Sequence, residues 1–405
     1  MGIPAGYAMV SVEVFLVSTK AQRLPERVHV WHRWFLWALV GMAAAAGIAV
    51  VVDRAFFRGA SEPARPALQQ TLDRLVQAGV APGVTAFVVG PRGTWSGSSG
   101  TADAKSAAPM RPDARMRIES NSKTWLTAVI LQLAQERKLN LEDTVAQWLP
   151  GLLRAHGSEI TIRELLHDTS GLIDDNDVYN ANSKQLQAMF ARVGDAKLRA
   201  QLLAAAAKLK ANPWAQVSSL LFIRLAGWQP LVATPGTTYH HSNIGWNVAG
   251  LIAAKAGGKP LPILYRERII HPLGLHNTAF SPQGPIAGQH ANGYAASNGR
   301  LIDTTTMHPG KFADGAIVTN AQDEATFLHA LMSGKLFNEQ GWIDLYGAPT
   351  GGNGCATPAY EGEGAGDGYR SYVWYNGTGS RIAVLLTNKN VGNAERAAQR
   401  LYCAA

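Results

Sequence analysis

Two stretches of alternating strand pattern sit at opposite ends of this chain, and they constrain its fold more than any other feature. VTAFVVG (84–90) and the stretch around Trp95 read as one hairpin, and YRSYVWYNGTGSRIAVLLTN (369–388) reads as a second, turning at Asn376–Gly377. The segments between them are helical in spacing. Residues 120–137, 161–166, 184–211, 243–257 and 321–332 each carry apolar residues at helical intervals or end in helix-stop signals, and 67–78 and 394–402 add a helix at each end. Strands at the ends with helices in the middle predict an α+β domain. Its antiparallel sheet is built from the two ends of the chain and flanked by helices, with a mostly helical inserted subdomain over about 140–320. No internal repeat is visible, and the alanine-rich 203–207 reads as helix surface.

Ahead of this domain, Trp34 to Val52 (WFLWALVGMAAAAGIAVVV) is a run of 19 residues without a charge, close to the roughly 20 a helix needs to cross a bilayer. Lys20, Arg23, Arg27 and Arg33 precede it, and Trp31, Trp34 and Trp37 cluster at its entry. The positive-inside rule places residues 1–33 in the cytoplasm and all that follows the span outside. A cleaved signal peptide is the rival reading. The run is long for the apolar part of a signal peptide, and DRAFFRGASEPARP (53–66) has no evident small-x-small cleavage site. The expectation is an uncleaved single-pass transmembrane anchor at 34–52, a linker at 53–66 and an extracytoplasmic domain at 67–405.

With 47% hydrophobic and 16% charged residues, the chain has material for a large core, which excludes a disordered protein. Part of the formal net charge of +8 belongs to the basic flank of the apolar run. The remaining basic residues are scattered, so nucleic acid is not an expected partner. The two cysteines, Cys355 and Cys403, lie in no Cys-x-x-Cys or Cys/His cluster, so no zinc site is expected. Outside the cytoplasm they can form a disulfide that ties down the last helix, and two unrelated buried thiols is an equal alternative. Asp174, Asp175 and Asp177 lack the glycine and terminal glutamate of a calcium loop and read as a solvated loop. No metal or organic cofactor is expected.

The chemistry-bearing motif is Ser120-Asn121-Ser122-Lys123, entered from Met116-Arg117-Ile118 and opening a helix. Ser-x-x-Lys alone is common by chance. Here a strand-like segment runs into a helix start, so a hydroxyl and an amine lie one turn apart on one face. A lysine so placed can take the serine proton if burial and neighbouring charge depress its pKa, and the backbone N–H at the helix start can meet a developing oxyanion.

The segment MRIESNSKTWLTAVILQLAQERKLNLEDTVAQWLP resembles the nucleophile region of the class C β-lactamase and D-alanyl-D-alanine carboxypeptidase family, which includes esterase-like members. Leu165-Leu166-His167-Asp168-Thr169-Ser170-Gly171-Leu172 is similar to its LLxHTSGL signature, and Pro235-Gly236-Thr237 through Ser242-Asn243-Ile244-Gly245 to its PGT…YSN segment. Pro272-Leu273-Gly274-Leu275 with Thr278-Ala279-Phe280, then Gly368-Tyr369-Arg370-Ser371 and Leu386-Thr387-Asn388, follow in the family's order over about 68–390. The resemblance implies a β-lactamase/transpeptidase-like fold and acyl-enzyme chemistry. Ser120 is its expected nucleophile and Lys123 its expected proton acceptor.

The other two catalytic motifs depart from the family pattern. Where the family has Tyr-x-Asn, this chain has His241-Ser242-Asn243. An imidazole can share proton traffic with lysine near neutral pH, so His241 substitutes for the tyrosine, or else Lys123 works alone. Tyr239 should face another way. Asn243 fits the family's role of orienting Lys123 and the substrate amide. Where the family has Lys/His-Thr/Ser-Gly, counting back from Gly368 gives Gly362-Glu363-Gly364, while Gly377-Thr378-Gly379 sits in a hairpin turn and is rejected. The basic residue is therefore absent, and Glu363 stands in its place. Oxyanion donors would be the Ser120 N–H and a strand N–H near Gly364 and Ala365. Losing a charge-assisted contact to a substrate carboxylate costs roughly 1.5–3 kcal/mol, which disfavours efficient β-lactam hydrolysis. Arg370 reads as an ordinary exposed strand residue, and His167 as a turn brace.

The expected function is a membrane-anchored, extracytoplasmic serine hydrolase acting through an acyl-enzyme on a small-molecule or peptide amide or ester, of cell-wall-peptide or esterase type. The alternatives are a degenerate family member acting as an envelope binding or regulatory protein, and a structural envelope anchor without a pocket.

Overall fold

The computed structural model describes residues 65–405, apart from 213–214, 283, 298, 308–310, 350–354, 356, 367 and 391–392. The expected anchor at 34–52, the segment before it and the linker up to residue 64 lie outside the described residues. Among the described residues, no helix is long and apolar enough to cross a membrane.

The sheet is made from the two ends of the chain. Strand β1 (Gly83–Gly90) pairs antiparallel with β2 (Gly93–Asp103) on one side and with β11 (Ile382–Thr387) on the other, and β3 (Ala108–Pro109) closes the far edge. β11 pairs with β10 (Arg370–Tyr375), and β10 with the edge strand β9 (Tyr360–Ala365). Strand periodicity explains why the sheet is buried on both faces. Val84, Ala86, Val88, Tyr372, Trp374, Ala383 and Leu385 meet Leu68, Leu72, Leu401 and Tyr402 from the terminal helices α1 (Pro66–Gln77) and α9 (Glu395–Cys403). The alternate residues, Phe87, Val89, Val373, Tyr375, Ile382, Val384 and Leu386, face the main core. A one-residue slip of any strand would exchange the two sets, so the register is strongly specified. Cys355 and Cys403 form a disulfide, which ties the end of α9 to the segment before β9.

The main core is organised around helix α2 (Ser122–Gln135), apolar on all sides and buried along most of its length, as expected of a helix inside a large domain. Trp125 stacks on Phe327 of helix α8 (Ala321–Met332), with ring centroids 4.0 Å apart. A small three-stranded sheet, β4 (Met116–Arg117), β8 (Ile317–Thr319) and β5 (Ala279–Phe280), abuts the start of α2. A two-stranded ribbon, β6 (Tyr294–Ser297) with β7 (Arg300–Asp303), lies apart from it.

Beyond these lie helices α3 (Asp175–Tyr179), α4 (Ser183–Ala191), α5 (Ala196–Ala211), α6 (Ser219–Ala226) and α7 (Asn243–Gly257). The single helix expected over 184–211 is divided into α4 and α5. A Cβ at Gly194 would come within 2.7 Å of the Trp228 ring, and Asp195 caps α5 by accepting from Leu198 N at 2.9 Å. A glycine needed for close packing followed by an N-cap aspartate ends one helix and begins the next.

Candidate active site

The site is built where β4 gives way to α2. Glu119, directly before Ser120, takes a left-handed backbone conformation (φ 51°), and residues 119–121 make one 3-10 turn before α2 begins. A non-glycine residue held there costs on the order of 1–3 kcal/mol, which its surroundings must offset. They do so with a connected set of hydrogen bonds. Ser371 Oγ on β10 donates to Ile118 O at 2.6 Å, Asn121 Nδ2 donates to Ser371 Oγ at 2.7 Å, and Ile317 N donates to Ser122 Oγ at 3.1 Å. Ser122 thus braces the turn, while Ser120 lines a cavity.

Lys123 is one turn further on and only 9% exposed. Its Nζ lies 2.9 Å from His241 Nε2, and His241 Nδ1 lies 3.0 Å from Asp174 Oδ2. A carboxylate can only accept, so Nδ1 carries the proton and Nε2 accepts from Lys123. Asp174 is fixed in turn. Its Oδ1 accepts from Asn243 N at 2.8 Å and Asp175 N at 2.9 Å, and its Oδ2 from Asn176 Nδ2 at 2.7 Å. Below the lysine, Trp246 lies 5.4 Å from Nζ, and its Nε1 donates to Asp168, which also accepts from Ser242 N. The segment 241–246 is therefore clamped by two buried aspartates.

Burial lowers the pKa of the Lys123 ammonium, and the carboxylates of Asp168, Asp314 and Asp174 offset that only in part. Burial disfavours the charge of Asp174, but hydrogen bonds from His241, its neighbours and the Asn243 backbone outweigh it and hold the carboxyl well below the ordinary range. Asp175 goes the other way: burial, then the adjacent Asp314 and Asp174, push it up to about 7. Lys311 stands 3.8 Å from Asp314 on the same wall.

The strand beside the nucleophile supplies the remaining wall. A Cβ at Gly364 would fall 2.0 Å from Ile118 O and 3.0 Å from Ser120 N, so only glycine lets β9 lie against the turn. Gly366 N donates to Tyr369 O, so the adjacent Ala365–Arg370 pair is of the open type. The Ala365 N–H consequently points out of the sheet edge. Ala365 and Ser120 both line the cavity, whose volume is about 1150 Å³.

Of the expected site residues, the structure joins Lys123 to His241 and sets Ser120, His241, Asn243, Glu363 and Ala365 around one cavity. Among the described residues, no hydrogen bond joins Ser120 to Lys123. Asn243 Nδ2 donates to Asp175 at 3.0 Å, so in this state His241, not Asn243, orients the lysine. Tyr239 is 69% exposed and faces away.

Two expectations are corrected. The 174–177 segment is not a solvated loop. Asp174 is buried on His241, and Asp175 lines the cavity; Asp177 accepts from Asp174 N to cap α3. Arg370 is not an ordinary exposed strand residue, because it is half-buried, lines the cavity and is ion-paired with Glu363. The third motif also resolves by strand alternation. Gly362 and Gly364 face the nucleophile turn, while Glu363 and Ala365 face the cavity, so Glu363 meets the substrate space and Gly362 packs against Asn121.

Known proteins resemble this chain in sequence or in fold. The serine beta-lactamase-like protein LACTB, mitochondrial, of Mus musculus is 23% identical over 325 residues, 69% of this chain and 58% of that protein. Protein flp of Staphylococcus aureus (strain N315) is 24% identical over 238 residues, 56% of this chain and 41% of that protein. The chain spans less than two thirds of the length of these curated relatives. Among solved structures, a D-stereospecific amidohydrolase from Streptomyces sp. superimposes with a TM-score of 0.70 at 23% identity, covering 85% of this chain and 100% of that one. The D-amino acid amidase from Ochrobactrum anthropi SV3, complexed with L-phenylalanine amide, gives 0.65 at 22%, covering 83% and 96%. EstCE1, a hydrolase with promiscuous acyltransferase activity, gives 0.61 at 19%, covering 87% and 99%. These likenesses establish a common fold. The model of the Beta-lactamase family matches residues 68–404, and the chain belongs to that family.

Proposed function

We propose that this protein is a serine hydrolase that cleaves a neutral or cationic ester or amide through an acyl-enzyme on Ser120. The observation that carries this reading is the hydrogen-bonded run Lys123–His241–Asp174 next to a serine that opens on a cavity.

In this mechanism Ser120 Oγ attacks the carbonyl carbon while neutral Lys123 Nζ takes its proton. The Ser120 and Ala365 N–H groups receive the carbonyl oxygen as it becomes an oxyanion. When the tetrahedral adduct collapses, the C–O or C–N bond to the leaving group breaks and the departing atom takes a proton from the lysine. Water, deprotonated by the same lysine, then releases the acyl group. His241 Nε2 can hold a proton during these steps, because the Asp174 carboxylate balances the imidazolium charge. The arrangement takes the place of the family's tyrosine, and positioned acid–base groups of this kind contribute roughly 10²–10⁴-fold.

The polarity of the cavity supports the substrate class. Asp175, Asp314 and Glu363 line it, and the only guanidinium there, among the described residues, is paired with Glu363. Lys311 on the same wall likewise lies 3.8 Å from Asp314, so a substrate carboxylate at the nucleophile end would have to displace one of these pairs, and penicillins and peptides ending in a carboxylate are poor substrates.

The same proposal places the domain outside the cytoplasm on a membrane anchor. The uncharged run 34–52 with its basic flank supports it, and the Cys355–Cys403 disulfide suits an oxidising compartment. Protease accessibility in cells stripped of their outer layers, with the cytoplasmic membrane sealed, tests the location: protection of the domain would contradict it.

The catalytic reading is tested by intact-mass measurement after exposure to a fluorophosphonate. A single adduct in the native protein and none in Ser120→Ala is expected. Absence of an adduct in the native protein, with ligand-induced stabilisation, would favour a degenerate binding protein. The altered second and third motifs are what motivate that second reading.

A further inference from the structure

The cavity extends well beyond what the catalytic steps require. At about 1150 Å³ it exceeds the roughly 300–1,000 Å³ usual for small-molecule sites. One wall is polar and comes from the nucleophile turn, the 241–243 and 311–314 segments and β9–β10. The other comes from α3–α6 and is largely apolar, with Val178, Leu186, Phe190, Leu202, Leu209 and Phe222 on it.

Sequence spacing explains this second wall. On α5, Leu202, Ala205, Ala206 and Leu209 recur at i, i+3, i+4 and i+7, which makes one apolar stripe. On α4, Leu186 and Phe190 are four apart and share a face. These stripes converge on open space that is continuous with Ser120. Ser183, Ser219 and Lys210 also line the cavity, and each sits at or next to a helix end. Away from the helix ends, the arm is lined by aliphatic and aromatic side chains and by one amide, Gln187 of α4. An unfilled apolar arm of this size exposes surface to water at a free-energy cost, and an apolar group on the substrate would recover it.

We infer that the substrate carries a long apolar chain that lies in this arm beside the scissile ester or amide. The inference rests on the reading of Ser120 as nucleophile and adds the class of substrate. The chain could belong to the acyl part or to the leaving group, since both flank the same carbonyl.

Two ester series, each kept below its micelle-forming concentration, separate the sources. p-Nitrophenyl alkanoates from two to twelve carbons place the chain on the acyl side, and n-alkyl acetates place it on the leaving side. Burying each methylene should raise kcat/KM in one series by about three- to fourfold until the arm is filled. Values that are flat or that fall with length in both series would overturn the inference. Ala206→Trp, which fills the arm, should shift the optimum to shorter chains, and an unshifted optimum would also count against it. Labelling by ethyl and dodecyl fluorophosphonates separates the two levels of the argument. If neither labels Ser120, the nucleophile reading fails. If both label Ser120 but neither ester series responds to chain length, only the apolar-chain inference is overturned.

Discussion

Replacing Asp174 with asparagine tests the proton-handling arrangement with little change in shape. The carboxylate accepts from His241 Nδ1 through one oxygen and from the Asn243 and Asp175 backbone through the other. An amide has one acceptor oxygen, so its NH2 must face either the His241 N–H or the two backbone N–H groups. If it faces His241, the ring must change tautomer and turn an N–H toward Lys123. The loss of one charge-assisted hydrogen bond is worth about 1.5–3 kcal/mol, or roughly a 10- to 150-fold fall in kcat/KM. The pH profile carries a second signature. Asp174 is one of the charges that hold the Lys123 pKa up against burial. Removing it favours the neutral amine, so the acid limb of kcat/KM moves to lower pH while the plateau falls. The assay is p-nitrophenyl butyrate hydrolysis from pH 5 to 10, with a thermal melt to confirm folding. Repeating the substitution in a His241→Gln background closes a double-mutant cycle, and there Asp174→Asn should cost little. A fall of less than twofold in the native background would refute the reasoning. So would an equal cost in both backgrounds, which would mark Asp174 as purely structural.

Glu363→Gln removes a negative charge from the cavity wall and should raise the acylation rate by a penicillin about tenfold or more, because a like charge no longer opposes the substrate carboxylate; mass spectrometry of the adduct measures it. Burial pushes the Glu324 carboxyl up to about 8 although Trp125 Nε1 donates to it. The folded state therefore holds that proton more tightly than the unfolded chain, and its contribution is complete below the ordinary carboxyl range and lost as pH rises through about 8. Glu324→Gln keeps an acceptor for Trp125, so melting temperatures at pH 5 and pH 9 should differ less than in the native protein. Breaking the Cys355–Cys403 bond by Cys355→Ser with Cys403→Ser opens a loop with a sequence separation of 48 and should cost about 4 kcal/mol on the chain-entropy account, read from denaturant unfolding.

The parts of this protein that local pattern can encode were legible in its sequence. The strand alternation of 84–90 and 369–388 marked two hairpins at the chain's ends, which pair into one antiparallel sheet. The Ser-x-x-Lys spacing at a strand-to-helix junction pointed to Ser120 and Lys123, and the resemblance to the class C β-lactamase family, which has a tyrosine in the register of His241, pointed to the lysine's partner. What was missed depends on contacts made at a distance. Asp174 sits among Asp175, Asn176 and Asp177, a composition that suggests solvent exposure; it is buried because a segment 67 residues later folds onto it. Arg370 looks like any strand arginine until the pairing of β9 with β10 brings it beside Glu363. The break at Gly194 is set by Trp228, which packs on it from the turn after α6. The apolar arm has no single motif, since it arises where stripes on separate helices meet.

The most direct test of the account is to trap the acyl group itself. The native protein is mixed with p-nitrophenyl butyrate, quenched in acid within the first turnovers, and digested with trypsin. Cleavage after Arg117 and Lys123 releases Ile118–Lys123, which holds both Ser120 and Ser122, and fragmentation distinguishes them. The account predicts a butyryl mass on Ser120 that is lost on longer incubation with water. A butyryl group on Ser122 or elsewhere, or hydrolysis with no acylated peptide at any time, would contradict it.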